Sequence, residues 1–149
     1  MSSKEKDHRL MEVQTTRFGA LELDEHRVVG FADGIPGFPH FTRALLIEVE
    51  NNPDYYWLQS IDEGDLAFLT VVPWSFFADY ELVLHDDDQA AIALDDAGDA
   101  FICCLVSVDR DKQLFTANLR APIVVNVAVN RARQIILPDE ALSVQAHLA

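Results

Sequence analysis

The chain is 149 residues long, with 50% hydrophobic and 24% charged residues, which is the size of one domain with a core that needs no cross-links. Its 25 acidic residues outnumber the 11 Lys and Arg and give a formal net charge of −14. That charge argues against direct binding to nucleic acid, which needs cations to replace phosphate counterions, and it suits a basic protein partner or high solubility.

Short apolar runs, rich in β-branched and aromatic residues, alternate with turn signals along the chain. This spacing is typical of an all-β sandwich or barrel. In chain order the predicted strands are residues 12–16, 20–23, 28–31, 44–49, 56–60, 66–72, 81–84, 101–108, 115–118, 123–129 and 133–137. The first and the last show a mixed pattern, which periodicity leaves open between a fully buried strand and a bulge.

Turn residues and helix signals lie between these runs. Glycine and proline predict a turn at residues 33–37, and polar clusters predict turns at 51–54 and 62–65. Pro73 can begin a short helix that runs to Ala78. Asp86 or Asp87 can cap a second short helix that runs to Ala93, and Gly98 would end that excursion.

The negative charge is concentrated in the middle of the chain. Residues 1–43 contain seven acids and six bases, and residues 110–149 contain three acids and five bases. Residues 44–109 contain fifteen acids and neither Lys nor Arg. This segment is either an ordinary solvated acidic surface or a negative docking face for a cationic protein.

No sequence motif indicates catalytic, cofactor or metal chemistry. The five histidines are scattered, and His85 with the three aspartates after it is interpreted as a solvated turn, because the spacing lacks the order of a calcium loop. Cys103 and Cys104 are adjacent, so they cannot form an ordinary structural disulfide, and in a strand their side chains point to opposite faces. We predict no catalytic residues, no cofactor and no metal.

The polar N-terminal sequence MSSKEKDHRL lacks the apolar core of a signal peptide. No apolar run approaches the roughly 20 residues of a membrane span. Together with the low cysteine content, these features predict a cytoplasmic protein that binds neither a membrane nor nucleic acid.

Four segments, taken in this order and spacing, resemble the FliW family of flagellar assembly factors. They are FADGIPGF at 31–38; LQS at 58–60 followed by LAF at 66–68; Pro73 with FF at 76–77 and DYEL at 79–82; and TANLRAPIVVN at 116–126 with QIIL at 134–137. The last is the most specific. On this resemblance the chain divides into a flexible polar leader at 1–10, a FliW-like β domain at 11–142 and a short tail at 143–149.

The resemblance implies a compact, mostly β, barrel-like single domain with one or two short helices and no enzymatic activity. It also implies two protein partners. One is CsrA, a small basic homodimer that binds RNA and represses flagellin translation, and the other is flagellin itself. Members of the family sequester CsrA and so relieve repression, and flagellin competes for the same protein.

The acidic middle segment is our expected CsrA face, because complementary charge speeds encounter and sets orientation. Buried aromatics usually supply binding energy, and the four aromatics within residues 74–80 cannot easily all face inward. We therefore expect at least one to be exposed. The predicted partner-binding residues are Trp74, Phe76, Phe77, Asp79, Tyr80, Glu81, Asp86, Asp87, Asp88 and Asn118.

Two alternatives stay open on the sequence alone. Asn118 can instead bond to turn backbone, and Pro122 can hold the residue before it extended, so their motif can be purely structural. The whole chain could also be a small β-barrel ligand-binding protein or enzyme that shares only the architecture. A deep polar pocket with perturbed titrations would favour that second reading.

Overall fold

The computed structural model describes residues 9–148, which form eleven strands and a few short helical turns. The strands are β1 Leu10–Thr15, β2 Gly19–Asp24, β3 Val29–Phe31, β4 Arg43–Val49, β5 Asn52–Ser60, β6 Ala67–Val71, β7 Ala100–Asp109, β8 Leu114–Ala117, β9 Ile123–Asn126, β10 Arg131–Gln134 and β11 Ala146–His147. The helix α1 spans Asp86–Ala91, and single 3₁₀ turns span Glu25–Arg27, Pro73–Ser75 and Ala97–Asp99.

Seven strands close into a barrel in the order β7-β6-β5-β4-β3-β10-β9, and pairing of β7 with β9 closes the ring. Neighbours are antiparallel except β3 and β10, which run parallel. The long strand β7 pairs in turn with β9, β6 and β8, so β8 and β11 extend the sheet beyond the ring. The predicted mostly β, barrel-like single domain with few short helices is confirmed.

Both faces of the barrel wall are buried where β6, β7 and β9 lie. One core cluster gathers side chains from β3, β4, β5, β7, β9 and β10, including Phe31, Leu58 and Cys103, and fills the barrel interior. A second cluster lies on the outside of β6, β7 and β9 and includes Cys104 and Val124. We call it the outer core. The adjacent cysteines therefore point to opposite faces, as the strand pattern predicted, and both are fully buried.

The outer core is covered by chain that is mostly not strand. Tyr80, Ile92 and Leu94 come from the excursion between β6 and β7, and Leu137 comes from the segment after β10. We call the excursion, residues 72–99, the covering segment. With the chain after β10 it closes the apolar outer face that strand pairing alone would leave exposed to water.

The β1–β2 hairpin forms a separate two-stranded sheet that packs on β4 through Val13, Leu23 and Leu45. Its turn is fastened to the barrel at two points. The Thr16 amide donates to the Gly64 carbonyl at 2.9 Å, and the Arg17 guanidinium carbon lies 3.9 Å from the centroid of the Trp57 ring. A cation over an aromatic face in this way stabilises the contact.

The FADGIPGF segment forms the predicted turn after β3. Gly34 has φ +66°, and a Cβ there would lie 2.7 Å from the Pro39 carbonyl oxygen, so only glycine fits. The turn places Ile35, 2% exposed, in the barrel interior. This part of the family motif is therefore structural.

Most predicted strands are found within a few residues of their expected bounds, but residues 81–84 are not a strand. They are extended but pair with no other strand. The strand that precedes them in the chain, β6, already has β5 on one edge and β7 on the other. Strand β9 ends at Asn126 rather than residue 129, since the Val127 amide turns to the Asp99 carbonyl. Strand β10 ends at Gln134 and leaves Ile135 and Leu137 to cover the outer core.

The helices are shorter than predicted. The helix that Pro73 begins is a single 3₁₀ turn that ends at Ser75. The residues that follow it, Phe76 and Phe77, pack against the outer core. The N-cap of α1 is His85, with no side-chain cap bond, so the predicted Asp86 or Asp87 cap is wrong. Both aspartates instead occupy the first turn, where their negative charge interacts favourably with the helix dipole.

Of the predicted leader at residues 1–10, residues 1–8 lie outside the described part of the chain. Leu10, the last residue of that leader, already begins β1. The predicted tail contains Ala146 and His147, which pair with Ala117 and Thr116 of β8. No helix in residues 9–148 is both long and apolar enough to cross a bilayer.

A candidate protein-docking face on the covering segment

Residues 73–88 carry nine of the ten predicted partner-binding residues and form the first part of the covering segment. Pro73 is buried where the segment leaves β6, and its carbonyl accepts from the amides of Phe76 and Phe77. The Val72 amide donates to the Asp54 carbonyl at 2.9 Å. These bonds fix the start of the segment on the barrel wall.

Tyr80 ties the middle of the segment to the outer core. Its side chain is 6% exposed, and its hydroxyl donates to the Leu119 carbonyl at 2.6 Å. Burial raises the pKa of the Tyr80 phenol, so it stays a neutral donor. The bond also joins residues 73–88 to the TANLRAPIVVN motif. Tyr80 thus positions the segment and offers little of its ring to solvent.

Phe76 and Phe77 are half-buried against the outer core, and the Phe76 ring meets Tyr55 edge to face at 5.9 Å. Trp74 is different because 40% of it is exposed. Its indole Nε1 donates to the Tyr80 carbonyl at 2.7 Å, and the two rings pack edge to face at 5.5 Å. The expected exposed aromatic is Trp74, held in one orientation at the surface.

The predicted acids are mostly free at the surface. Asp79, Glu81, Asp86 and Asp87 are exposed and form no ion pair among the described residues. Asp88 is the exception, since it lies 3.3 Å from the Arg133 guanidinium and its side chain is 18% exposed. A flanking arginine therefore neutralises one member of the Asp86–Asp88 run.

Only one other mid-chain acid in residues 44–109 pairs with a flanking arginine. Asp62 meets Arg43 at 2.5 Å, and this guanidinium lowers the pKa of the Asp62 carboxyl. Thirteen of the fifteen mid-chain carboxylates form no ion pair with any residue in the described range 9–148. The acidic middle of the chain therefore keeps most of its negative charge.

A groove of about 450 Å³ runs beside the exposed acids. Leu82, Val83, Leu137 and Leu142 supply apolar walls, and the remaining lining residues are Glu81, His85, Pro138 and Asp139. Sequence reasoning missed this groove because its two sides are about 55 residues apart in the chain. The short apolar run at residues 81–84 was the available signal in the sequence, and it predicted a strand instead.

Asn118 lies at the other end of the Tyr80 link, in the turn after β8. It is half-buried, and its Oδ1 accepts from the Arg120 amide at 3.2 Å. Asn126 of the same motif is 2% exposed and donates to the carbonyls of Ile92 and Ala93, each at 3.0 Å. These bonds support the structural interpretation of the motif, and the partner role of Asn118 stays a prediction.

The thiols are packed away from solvent. Burial raises the pKa of both Cys103 and Cys104 to about 12, so each is a protonated thiol at neutral pH. Within residues 9–148 no group of three or more His, Cys, Asp or Glu side chains is placed to hold a metal ion.

The model of the family described as FliW protein matches residues 12–148. The flagellar assembly factor FliW of Magnetococcus marinus is 35% identical over 130 residues, which cover 87% of this chain and 80% of that one. The protein of the same description from Syntrophus aciditrophicus is 38% identical over 130 residues, covering 87% and 82%. A crystal structure of the flagellar assembly factor FliW superposes with a TM-score of 0.85 at 29% identity, over 92% of this chain and 96% of that chain.

Proposed function

The chain belongs to the FliW family of flagellar assembly factors, and from this premise we propose that it sequesters the translational regulator CsrA and binds flagellin in the cytoplasm. It acts by protein binding and catalyses no reaction. The observation that carries the proposal is the exposed, largely unpaired acidic surface of residues 79–87 beside Trp74.

The charge supports a basic partner. Asp79, Glu81, Asp86 and Asp87 project from a segment without a single Lys or Arg. At physiological salt a field decays over about 8 Å, so these acids act when the partner is already close. They raise the association rate and orient a cationic surface. Beside the RNA path of a bound regulator they would also repel phosphates.

Trp74 supplies an anchor that charge cannot. Binding energy concentrates in a few aromatic or arginine side chains that become fully desolvated. Trp74 is exposed and already held by its bond to the Tyr80 carbonyl, so little side-chain entropy is lost when a partner covers it.

Flagellin would use the neighbouring apolar groove. An amphipathic helix binds by laying its apolar face in such a groove, and Leu82, Val83, Leu137 and Leu142 offer one. Glu81 belongs both to the groove and to the acidic surface. Two partners that use these adjoining sites would exclude each other, which would account for competition.

The reading of the chain as a small-molecule barrel gains no support. The groups whose pKa is shifted most are Cys103, Cys104 and Tyr80, and they pack into apolar cores rather than line the groove.

The test is calorimetric titration of the purified chain with CsrA and, separately, with a C-terminal flagellin segment. We expect saturable binding of both, and weaker CsrA binding as salt rises. Absence of CsrA binding at low salt would overturn the regulatory proposal, and absence of flagellin binding while CsrA still binds would remove only the flagellin part.

A further inference from the structure

Residues 81–84 form an extended segment whose backbone is not used by the fold. Glu81 and Val83 are exposed, while Leu82 and Leu84 are half-buried, which is the alternation of a strand. Within the described chain, none of these four residues takes part in a backbone–backbone hydrogen bond. The one hydrogen bond to their peptide groups from residues 9–148 is donated by Gln89 Nε2 to the Leu84 carbonyl, at 3.0 Å.

An extended segment with unpaired peptide groups is a template for another strand. The barrel ring itself offers no such edge, because its closure pairs every strand on both sides. Leu82 and Leu84 pack against the outer core, so the segment is held in place before any partner arrives. Val83 is 71% exposed, so the solvent-facing side of the segment carries an apolar side chain.

The surroundings select the charge of the added strand. Glu81 lies in the segment, Asp79 precedes it, and Asp139 lies across the groove. The nearby Arg120 guanidinium is occupied by the carbonyls of Glu140 and Leu142, at 2.7 and 3.0 Å. A strand that alternates basic and apolar residues would match both the carboxylates and the apolar groove wall.

We infer that residues 81–84 are a strand-addition site for an extended, basic segment of the partner protein. The added strand pairs with the free peptide groups, sets Lys or Arg side chains on the exposed face that carries Glu81, and sets apolar side chains on the opposite face, toward Leu82 and the groove. This inference rests on the proposed function, because it specifies how the basic partner engages the acidic surface.

The first test uses an end-capped peptide of about six residues that alternates Lys and Val. It is compared with two forms of the same peptide, N-methylated at one or the other set of alternate residues, which keep charge and side chains but remove N–H donors. We expect one methylated form to bind the full chain at least about tenfold more weakly. Equal binding by all three peptides overturns the inference.

The second test measures amide hydrogen exchange in the full chain with the lysine–valine peptide bound. Amides within residues 81–84 should slow at least about tenfold, while contact through side chains alone leaves them unchanged and overturns the inference. Val83→Pro removes the backbone N–H donor of residue 83 and should weaken peptide binding more than Val83→Ala, which keeps that donor. Circular dichroism and thermal melting serve as the check that both variants remain folded.

The same exchange measurement with the basic regulator separates this inference from the proposed function. If the regulator binds but amides 81–84 are unprotected, strand addition is wrong and the regulatory function stands. If the peptide protects these amides but the regulator does not bind, the strand-addition site stands and the regulatory function falls.

Discussion

The two faces of the wall formed by β7 and β9 are buried by different means. On the inner face, Cys103, Ile123 and Val125 meet other strands across the barrel. On the outer face, Cys104 and Val124 are covered by the segment that carries Tyr80 and Ile92. The inner face is filled mainly by strand residues, with Ile35 and Phe41 from the connection between β3 and β4, whereas the outer face needs a long added cover. The far side of that cover is the surface where Trp74 and the unpaired acids lie, so the same segment buries the outer face and carries the proposed binding surface.

The largest effect should follow from breaking the inner face. Leu58→Ala removes a side chain that is 0% exposed, and we expect a loss of about 2–5 kcal/mol in the free energy of unfolding, because a core cavity remains. Urea denaturation measures this. Leu10→Ala, at a residue 67% exposed, is the control and should change stability by less than about 0.5 kcal/mol. A similar loss in both variants would contradict the assignment of Leu58 to the barrel core.

Trp74→Ala should separate recognition from stability. We expect CsrA affinity to fall roughly 30-fold, about 2 kcal/mol, while the free energy of unfolding changes much less than in Leu58→Ala. Calorimetric titration and urea denaturation give the two numbers. Phe38→Ala removes another exposed aromatic, 42% exposed, and should leave affinity unchanged. Equal affinity losses in the two variants would mean that Trp74 is not an anchor.

Charge reversal should have a smaller effect, mainly on the association rate. Asp79→Lys with Glu81→Lys should slow CsrA association several-fold at low salt, and the difference should shrink as salt rises. Glu63→Lys with Asp65→Lys makes the same change in net charge at the opposite end of β6 and is the matched control. Stopped-flow association measures both pairs. Equal slowing by both would show that net charge matters and that this particular face does not.

The smallest effect should come from the exposed pair of Arg43 and Asp62, whose side chains are 49% and 45% exposed. Arg43 lowers the pKa of Asp62, so the pair stabilises the fold above the ordinary carboxyl pKa, and this stabilisation is lost as pH falls through the lowered value. Solvent limits it to less than about 1 kcal/mol. Urea denaturation of Asp62→Asn across acidic pH should converge with the unmodified chain, and a gap that grows with acidity would contradict this sign.

The local pattern of the sequence predicted most strands, because alternating apolar residues and turn signals act over a few positions. It could not predict closure, since β7 and β9 pair through residues 20 to 26 positions apart. Residues 81–84 show the limit clearly: a short apolar run is compatible with an extended chain whether or not a neighbouring strand pairs with it.

The docking surface was predictable in composition and less so in detail. Sequence counting found the acidic middle segment, and crowding predicted that one aromatic would be exposed. Which of the aromatics is exposed depends on Tyr80, whose hydroxyl donates a hydrogen bond to the carbonyl of Leu119, 39 positions away. The pairing of Asp88 with Arg133 is also long-range, and so is the groove between residues 81–85 and 137–142. Such neighbours are set by the fold rather than by any local signal.

The adjacent cysteines make the two sides of the wall separately observable. Because Cys103 faces the barrel interior and Cys104 the outer core, a thiol reagent reaches them through different opening motions. Lifting the cover would admit reagent to Cys104 alone, while Cys103 would react only when the ring parts. Peptide mass spectrometry after timed alkylation would thus report two opening rates from two neighbouring residues of one strand, with no substitution in the protein.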